Sequence, residues 1–152
     1  MQIRAANRQD EPILRTIIFQ ALEEHGLKAD LEGRDRDLRN VEYNYFWFDG
    51  LCLVAERDGQ LIGVLAARKS EKDDNVLELL RLAVTPGARQ RGVAKALVKT
   101  MLFFAANMEY KLVKFAFPAG QESFIPEEIM TKLGFQKDSD GSWIISGIRL
   151  DK

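Results

Sequence analysis

The chain is poor in the residues that build disulfides, metal clusters and histidine-centred active sites. Its 152 residues hold one cysteine, Cys52, so neither an intramolecular disulfide nor a cysteine-ligated metal cluster can form. A lone thiol fits a reducing cytoplasm. His25 is the one histidine, which argues against a histidine-bound metal or a Ser-His-Asp arrangement, so no metal is expected. Neither sign of charge is in excess: the formal net charge is -1, and nothing in that balance points to nucleic acid or an anionic membrane as partner. No apolar run approaches membrane-spanning length, and Met1-Gln2-Ile3-Arg4-Ala5-Ala6 lacks the apolar core of a secretion signal. Repeats, low-complexity tracts and linkers are missing too. Residues 1–152 are therefore expected to form a single cytoplasmic domain with one core.

What is present is an ordered series of strand and helix patterns. Gln2 to Ala5 reads as a short first strand. Asp10, Glu11 and Pro12 open a helix, because acidic residues and an early proline suit a helix N-terminus. Ile13, Leu14, Ile17, Ile18, Ala21 and Leu22 recur at helical spacing, and Gly26 can close that helix. Lys28 to Asn40 is densely charged with both signs and reads as a solvated loop or short helix, with a lid over an acceptor as the functional alternative. Leu51 to Arg57, the Asp58-Gly59 turn and Gln60 to Arg68 make a hairpin. Val76 to Val84 is a third strand of the series, stopped by Thr85-Pro86-Gly87. Val93, Ala94, Leu97, Val98, Met101, Leu102 and Ala105 mark an amphipathic helix, followed by a strand at Lys111 to Phe117. Ser123 to Leu133 is a helix closed by Gly134, and Phe135–Lys137 with Trp143–Leu150 form a last hairpin. Each later strand–helix–strand crossover predicts a parallel pair. The expectation is an α/β fold (α+β in a stricter scheme), a mixed central sheet with helices on both faces.

The segment Arg89-Gln90-Arg91-Gly92-Val93-Ala94 lies between a strand end and a helix start. There the first N–H groups of the helix lack internal partners and carry the positive end of the dipole, a setting for phosphate. Gly92 lets a ligand approach the backbone, Ala94 keeps the next turn nearly bare, and Arg89, Arg91 and Lys95 surround the spot with cations. Cations at a helix start are unfavourable unless an anion neutralises them. The sequence offers neither the Gly-Lys-Ser/Thr of a P-loop nor the repeated glycines of a dinucleotide fingerprint.

On these residues the chain resembles the GNAT superfamily of N-acetyltransferases. Its main motif, Arg/Gln-x-x-Gly-x-Gly/Ala after a strand, is matched by Arg89 to Ala94 after Leu82-Ala83-Val84. Lys132-Leu133-Gly134-Phe135 is similar to the family's closing Lys-x-Gly-Phe, and the element order matches from Ile3 to Leu150. The resemblance implies acetyl-CoA as acyl donor, lying in a gap between the strand ending at Val84 and the strand Lys111 to Phe117. Its pantetheine would pair with Leu82, Ala83 and Val84, and its pyrophosphate would rest on Gln90, Arg91, Gly92, Val93, Ala94 and Lys95, beside Arg89. Ser123 aligns with a family asparagine that contacts coenzyme A. A primary amine would attack the thioester directly, with a backbone N–H near Val84 stabilising the oxyanion. A homodimer is compatible with this reading.

Glu78 is the candidate base. In a strand without a bulge it shares parity with Leu80, Leu82 and Val84, so it would face apolar surroundings that favour proton transfer. The other reading is a structural salt bridge to Arg81 or another cation. The family's usual acid, a tyrosine two residues before the lysine of Lys-x-Gly-Phe, is replaced by Met130. Solvent can protonate the thiolate, as a thiol's pKa of about 8.5 makes it a tolerable leaving group; Tyr43, Tyr45 and Tyr110 are alternatives. The aromatic run Tyr43–Phe48 is read as packing, with an acceptor wall as the alternative. His25 is read as a charge at a helix end, and Cys52 as a buried strand residue rather than an acyl carrier. Because Met130 takes the acid's place, a non-catalytic acyl-CoA-binding module competes with the enzyme, and an interaction domain binding no coenzyme stands behind both.

Overall fold

The computed structural model describes residues 1–46, 50–89, 92–115 and 127–146. Seven strands, β1 (Gln2–Ala5), β2 (Gly50–Arg57), β3 (Gln60–Lys69), β4 (Val76–Val84), β5 (Leu112–Phe115), β6 (Gln136–Lys137) and β7 (Trp143–Ser146), form one sheet in the order β1-β2-β3-β4-β5-β7-β6. Three α-helices, α1 (Glu11–Glu24), α2 (Val93–Asn107) and α3 (Glu127–Lys132), cover its two faces. The mixed sheet with helices on both sides is the one expected. Asp58 and Gly59 both take positive φ, 53° and 78°, the twist that a two-residue hairpin between β2 and β3 needs.

The two faces have separate cores. On one, Leu14, Ile17, Ile18 and Leu22 of α1 pack on Val54, Val64, Ala66 and Leu80. On the other, Val93, Leu97, Val98, Met101 and Ala105 of α2, with Met130 of α3, pack on Leu53, Leu65, Leu77, Leu79 and Val113. The α1 stripe differs from its expectation at one position: Ile13 is 52% exposed. The parallel pairing also differs. β4 and β5 are parallel, as the α2 crossover requires, but β5 and β6 are not neighbours. Instead β7 inserts between them and pairs antiparallel with both, because the closing hairpin folds back against the open edge of β5.

Lys28 to Asn40 is not simply a solvated loop. It runs through turns into a 3-10 helix at Arg36–Arg39, and Asp35 and Leu38 are fully buried. Its charges are drawn inward by an arginine of the sheet, described below. The helix expected from Ser123 is described from Glu127 onward, so Ser123 lies outside the described residues.

β4 contains a bulge that sets the geometry of everything near it. Val64 faces Ala83 and Ala66 faces Leu80, so Arg81 and Leu82 together stand opposite Leu65. Arg81 takes φ 56°, a left-handed conformation that costs a residue with a Cβ about 1–2 kcal/mol. The extra residue reverses the alternation. Leu77 and Leu79 share the α2 face with Leu82 and Val84, whereas Leu80 and Ala83 lie on the α1 face. Glu78 therefore lies on the α1 face with Leu80 and Ala83. The expected parity with Leu82 and Val84 is lost at the bulge.

Candidate active site

Beyond the bulge, β4 is paired on one side among the described residues. Gly63 and Val64 of β3 pair with Val84 and Ala83, but among the described residues the β4–β5 ladder ends at Leu79 and Phe115. Among the described residues no strand pairs with the other backbone edge of Leu80 to Val84. Leu82 and Val84 are half-buried and Ala83 is buried.

The helix that follows starts bare. Gly92 is its N-cap with φ 81°, a Cβ placed there would meet nothing within 4 Å, and no side chain caps it. The first intrahelical bond runs from the Ala96 N–H to the Gly92 carbonyl at 2.9 Å, so the N–H groups of Val93, Ala94 and Lys95 lie ahead of it. Gly92 and Lys95 are exposed, and the first turn holds no acidic residue to compete with an anion. Val93 is buried and anchors the turn on the sheet: a Cβ on Gly63 would come within 3.0 Å of Val93 Cγ1 and 3.1 Å of Leu97 Cδ1. Gly63 is a residue that sequence reasoning passed over as ordinary strand. Gln90 and Arg91 lie outside the described residues.

Arg89 has partners inside the protein. Its Nη1 and Nη2 donate to Glu24 Oε2 and Oε1 at 2.5 and 2.6 Å, and its Nε donates to the Val84 carbonyl at 3.0 Å. These bonds tie the C-terminal end of α1 to the end of β4. The hydrogen bond to Glu24 also raises the Arg89 pKa and lowers that of Glu24.

The α1 face of the bulge opens into a cleft of ≈ 800 Å³, lined by Arg34, Arg36, Asp37, Tyr45, Arg68 and Arg81 among others. Its floor is a buried ionic cluster. Arg81 Nη1 lies 2.9 Å from Asp35 Oδ1 and Nη2 lies 2.7 Å from Asp37 Oδ1, while Arg34 Nη2 reaches Asp35 Oδ2 at 2.8 Å. The Tyr45 hydroxyl donates to Asp37 Oδ2. Burial pushes the Asp35 carboxyl up, but the Arg34 hydrogen bond, the Asp30 N–H and Arg81 outweigh it and hold the group below its ordinary value. Burial, then the charge of Asp37, pushes the Tyr45 phenol far up, so this tyrosine holds its proton firmly and is a weak acid for a leaving thiolate. The aromatic run thus contributes at Tyr45 both core packing and a cleft wall; Trp47 and Phe48 lie outside the described residues.

Glu78 stands on β4 two residues before Leu80, across the β3–β4 ladder from Arg68, which lines this cleft. Its side chain is 24% exposed and its Oε1 lies 3.9 Å from the Nε of Arg68, its cross-strand neighbour. The contact is too long for a hydrogen bond. Arg81, the other cation considered for it, is committed to Asp35 and Asp37.

Met130 is fully buried in the α2-face core with Phe135 and Trp143. Cys52 is buried and its thiol is pushed up to about 12 by burial, which leaves it protonated and unreactive at neutral pH. His25 Nδ1 lies 3.0 Å from the Ala21 carbonyl at the end of α1. Among the described residues no cluster of histidine, cysteine and acidic groups is placed to hold a metal, and no helix is long and apolar enough to cross a membrane.

Sequence reasoning brought Glu78 and the Leu82–Lys95 segment to one strand–turn–helix. It missed Arg68, Arg81, Asp35 and Asp37. The available signal was Leu38, an apolar residue amid Arg34-Asp35-Arg36-Asp37, which marks that segment as packed rather than solvated.

Comparison with known proteins agrees with this geometry. The model of the acetyltransferase (GNAT) family matches residues 17–125. N-acetylaspartate synthetase from Homo sapiens is 41% identical over 78 residues, covering 51% of this chain and 26% of that protein. N-acetyltransferase 8F1 from Mus musculus is 32% identical over 130 residues, covering 82% of this chain and 55% of that protein. The chain thus spans between a quarter and about half the length of these curated relatives. An acetyltransferase of the GNAT family from Staphylococcus aureus Mu50 shares the fold with a TM-score of 0.82 at 18% identity, covering 95% of this chain and 98% of that one. A GNAT family acetyltransferase from Brucella melitensis, in complex with acetyl-CoA, does so at 0.74 and 17%, covering 96% and 87%.

Proposed function

Since the chain belongs to the acetyltransferase (GNAT) family, we propose that it is an N-acetyltransferase that moves the acetyl group of acetyl-CoA to a primary amine by direct attack. The observation that carries this is the bulge at Arg81: beyond it, among the described residues, one edge of Leu80–Val84 is unpaired by the sheet and leads to the bare N-terminus of α2, with an acceptor cleft on the α1 side of the same strand. In this reading the pantetheine lies along Leu82, Ala83 and Val84. The pyrophosphate rests on the N–H groups of Val93, Ala94 and Lys95 over Gly92, with Gln90 and Arg91 beside them and Ser123 across the coenzyme. Arg89, already bonded to Glu24, adds charge and holds the end of β4 in place.

The amine nitrogen bonds to the thioester carbon, the C–S bond breaks, and the amine proton passes to Glu78 directly or through water. A backbone N–H near Val84 stabilises the oxyanion. The thiolate takes its proton from solvent, which suits the burial of Met130 and the raised pKa of Tyr45. The same reading makes residues 1–152 one cytoplasmic domain, active alone or as a homodimer, with acetyl-CoA and a small-molecule or peptide amine as its partners. The free, buried Cys52 supports it.

Two measurements test the proposal. Saturating acetyl-CoA raises the melting temperature, as a ligand of the native state must. Thiol release over a panel of amines then shows saturable turnover. Binding without turnover would favour the acyl-CoA-binding module, for which the burial of Met130 speaks; no thermal shift would end both readings.

A further inference from the structure

The cleft on the α1 face holds more guanidinium than carboxylate. Arg34, Arg36, Arg68 and Arg81 line it, and Asp37 is the one carboxylate among its lining residues. Arg81 is committed to Asp35 and Asp37, and Arg34 to Asp35. Arg68 is not committed. Its Nε is buried without a hydrogen bond, and the carboxylate near it, Glu78, stays 3.9 Å away. The Arg36 Nε reaches the Gly33 carbonyl at 3.2 Å, with no carboxylate in contact among the described residues. A guanidinium with a buried, unused donor is costly until an anion completes it. Directly across the β3–β4 ladder stands Glu78, a carboxylate without a close partner. An anion-binding side chain that lines the cleft, with a cation-binding one beside it on the next strand, complements a single small zwitterion.

We propose that the acceptor is a free amino acid, an amine with a carboxylate one or two carbons away, whose carboxylate is held by Arg68 and Arg36 while its amine lies at Glu78. This rests on the acetyltransferase reading and names the substrate class for it. A cleft of ≈ 800 Å³ is the size that takes a metabolite. The Arg81–Asp35–Asp37 cluster is the positioning element: it pins the turn that carries Arg36 to the cleft that Arg68 also lines.

The test compares amino acids with their own carboxamides and decarboxylated amines, using the full chain and acetyl-CoA. Wild type prefers the acids by roughly tenfold or more in kcat/KM, the scale of a lost charge-assisted hydrogen bond. Arg68→Gln collapses that ratio through KM, Arg68→Lys restores part of it, and acetyl-CoA binding is unchanged in both. Equal use of acids and carboxamides by wild type overturns the proposal, as does a ratio that survives in the Arg68→Gln/Arg36→Gln variant, or turnover confined to peptide amines. Calorimetry of the same compounds on the protein loaded with coenzyme A separates this from a failure of the transferase reading. Binding that favours acids and needs Arg68, without turnover, keeps the acid site and sinks the transferase. Binding without that preference, or none at all, sinks the acid site.

Discussion

Arg81 and Asp37 stand 44 residues apart in the chain and meet through two hydrogen bonds, Nη2 to Oδ1 at 2.7 Å and Nε to Oδ2 at 3.1 Å. The pair joins the bulge of β4 to the charged turn after α1. It explains how a non-glycine residue holds φ 56° in the middle of a strand: a guanidinium gripping the buried Asp35 and the half-buried Asp37 outweighs the local strain. It also ties the β4 bulge to the wall of the cleft on the α1 face.

Removing the cation should be more damaging than any surface change. Arg81→Met leaves Asp35 and Asp37 facing each other without their shared partner, and is expected to cost about 3–5 kcal/mol of stability. Arg81→Lys keeps the charge but cannot span both carboxylates, and falls in between. Urea denaturation measures both; a loss of under about 1 kcal/mol for Arg81→Met would mean that the cluster is not structural.

Two carboxylates, Asp35 and Asp10, set the acid limit. Asp35 is pushed up by burial but held lower on balance by Arg34, the Asp30 N–H and Arg81, and Asp10 is held low by Arg4. A folded pKa below the unfolded 3.8 binds fewer protons in the native state, so this stabilisation is complete above that pH and lost as pH falls through the folded values. The urea midpoint should hold steady from neutrality and drop below about pH 4. Asp10→Asn should flatten part of that drop, and an unchanged profile would show that Asp10 contributes nothing to it.

At Gly92 the constraint is conformation rather than space. Gly92→Ala meets no neighbour but must adopt φ 81°, so it should cost about 1–2 kcal/mol and leave acetyl-CoA binding largely in place. Gly92→Glu adds bulk and negative charge at the helix start and should abolish the thermal shift by acetyl-CoA. A full shift in Gly92→Glu would move the pyrophosphate elsewhere.

Glu78 can be separated from its salt bridge by kinetics. A half-buried pair at 3.9 Å, without a hydrogen bond, is worth little, so Glu78→Gln should change stability by less than about 1 kcal/mol. Turnover should nonetheless fall, most at lower pH where the amine is hardest to deprotonate, with acetyl-CoA affinity intact. Wild-type rates across the pH range would leave Glu78 a structural partner of Arg68.

Met130 reports on the missing acid. Its seat among Phe135 and Trp143 is fully buried, so Met130→Tyr should overpack the core at about 1–3 kcal/mol without raising turnover. A rate gain would show that a phenol at this position reaches the thiolate.

The sequence by itself determined the parts of this protein that local patterns encode. Apolar periodicity determined α1 and α2, Asp58-Gly59 determined the hairpin, and Gly92 marked the uncapped start of α2. These need only a few neighbouring residues. What tertiary structure alone decided is everything that depends on the bulge. Strand alternation assumes one residue per step, so no pattern in Glu78–Val84 could announce that Arg81 and Leu82 would share the place opposite Leu65 and turn Glu78 away from Leu82 and Val84. The reason for the bulge lies in Asp35 and Asp37, which in sequence look like solvated charges and become a buried site only when β4 brings a guanidinium to them. In the same way the place of β7 between β5 and β6 follows from which sheet edge remained open, a property of the assembled sheet and of no single strand.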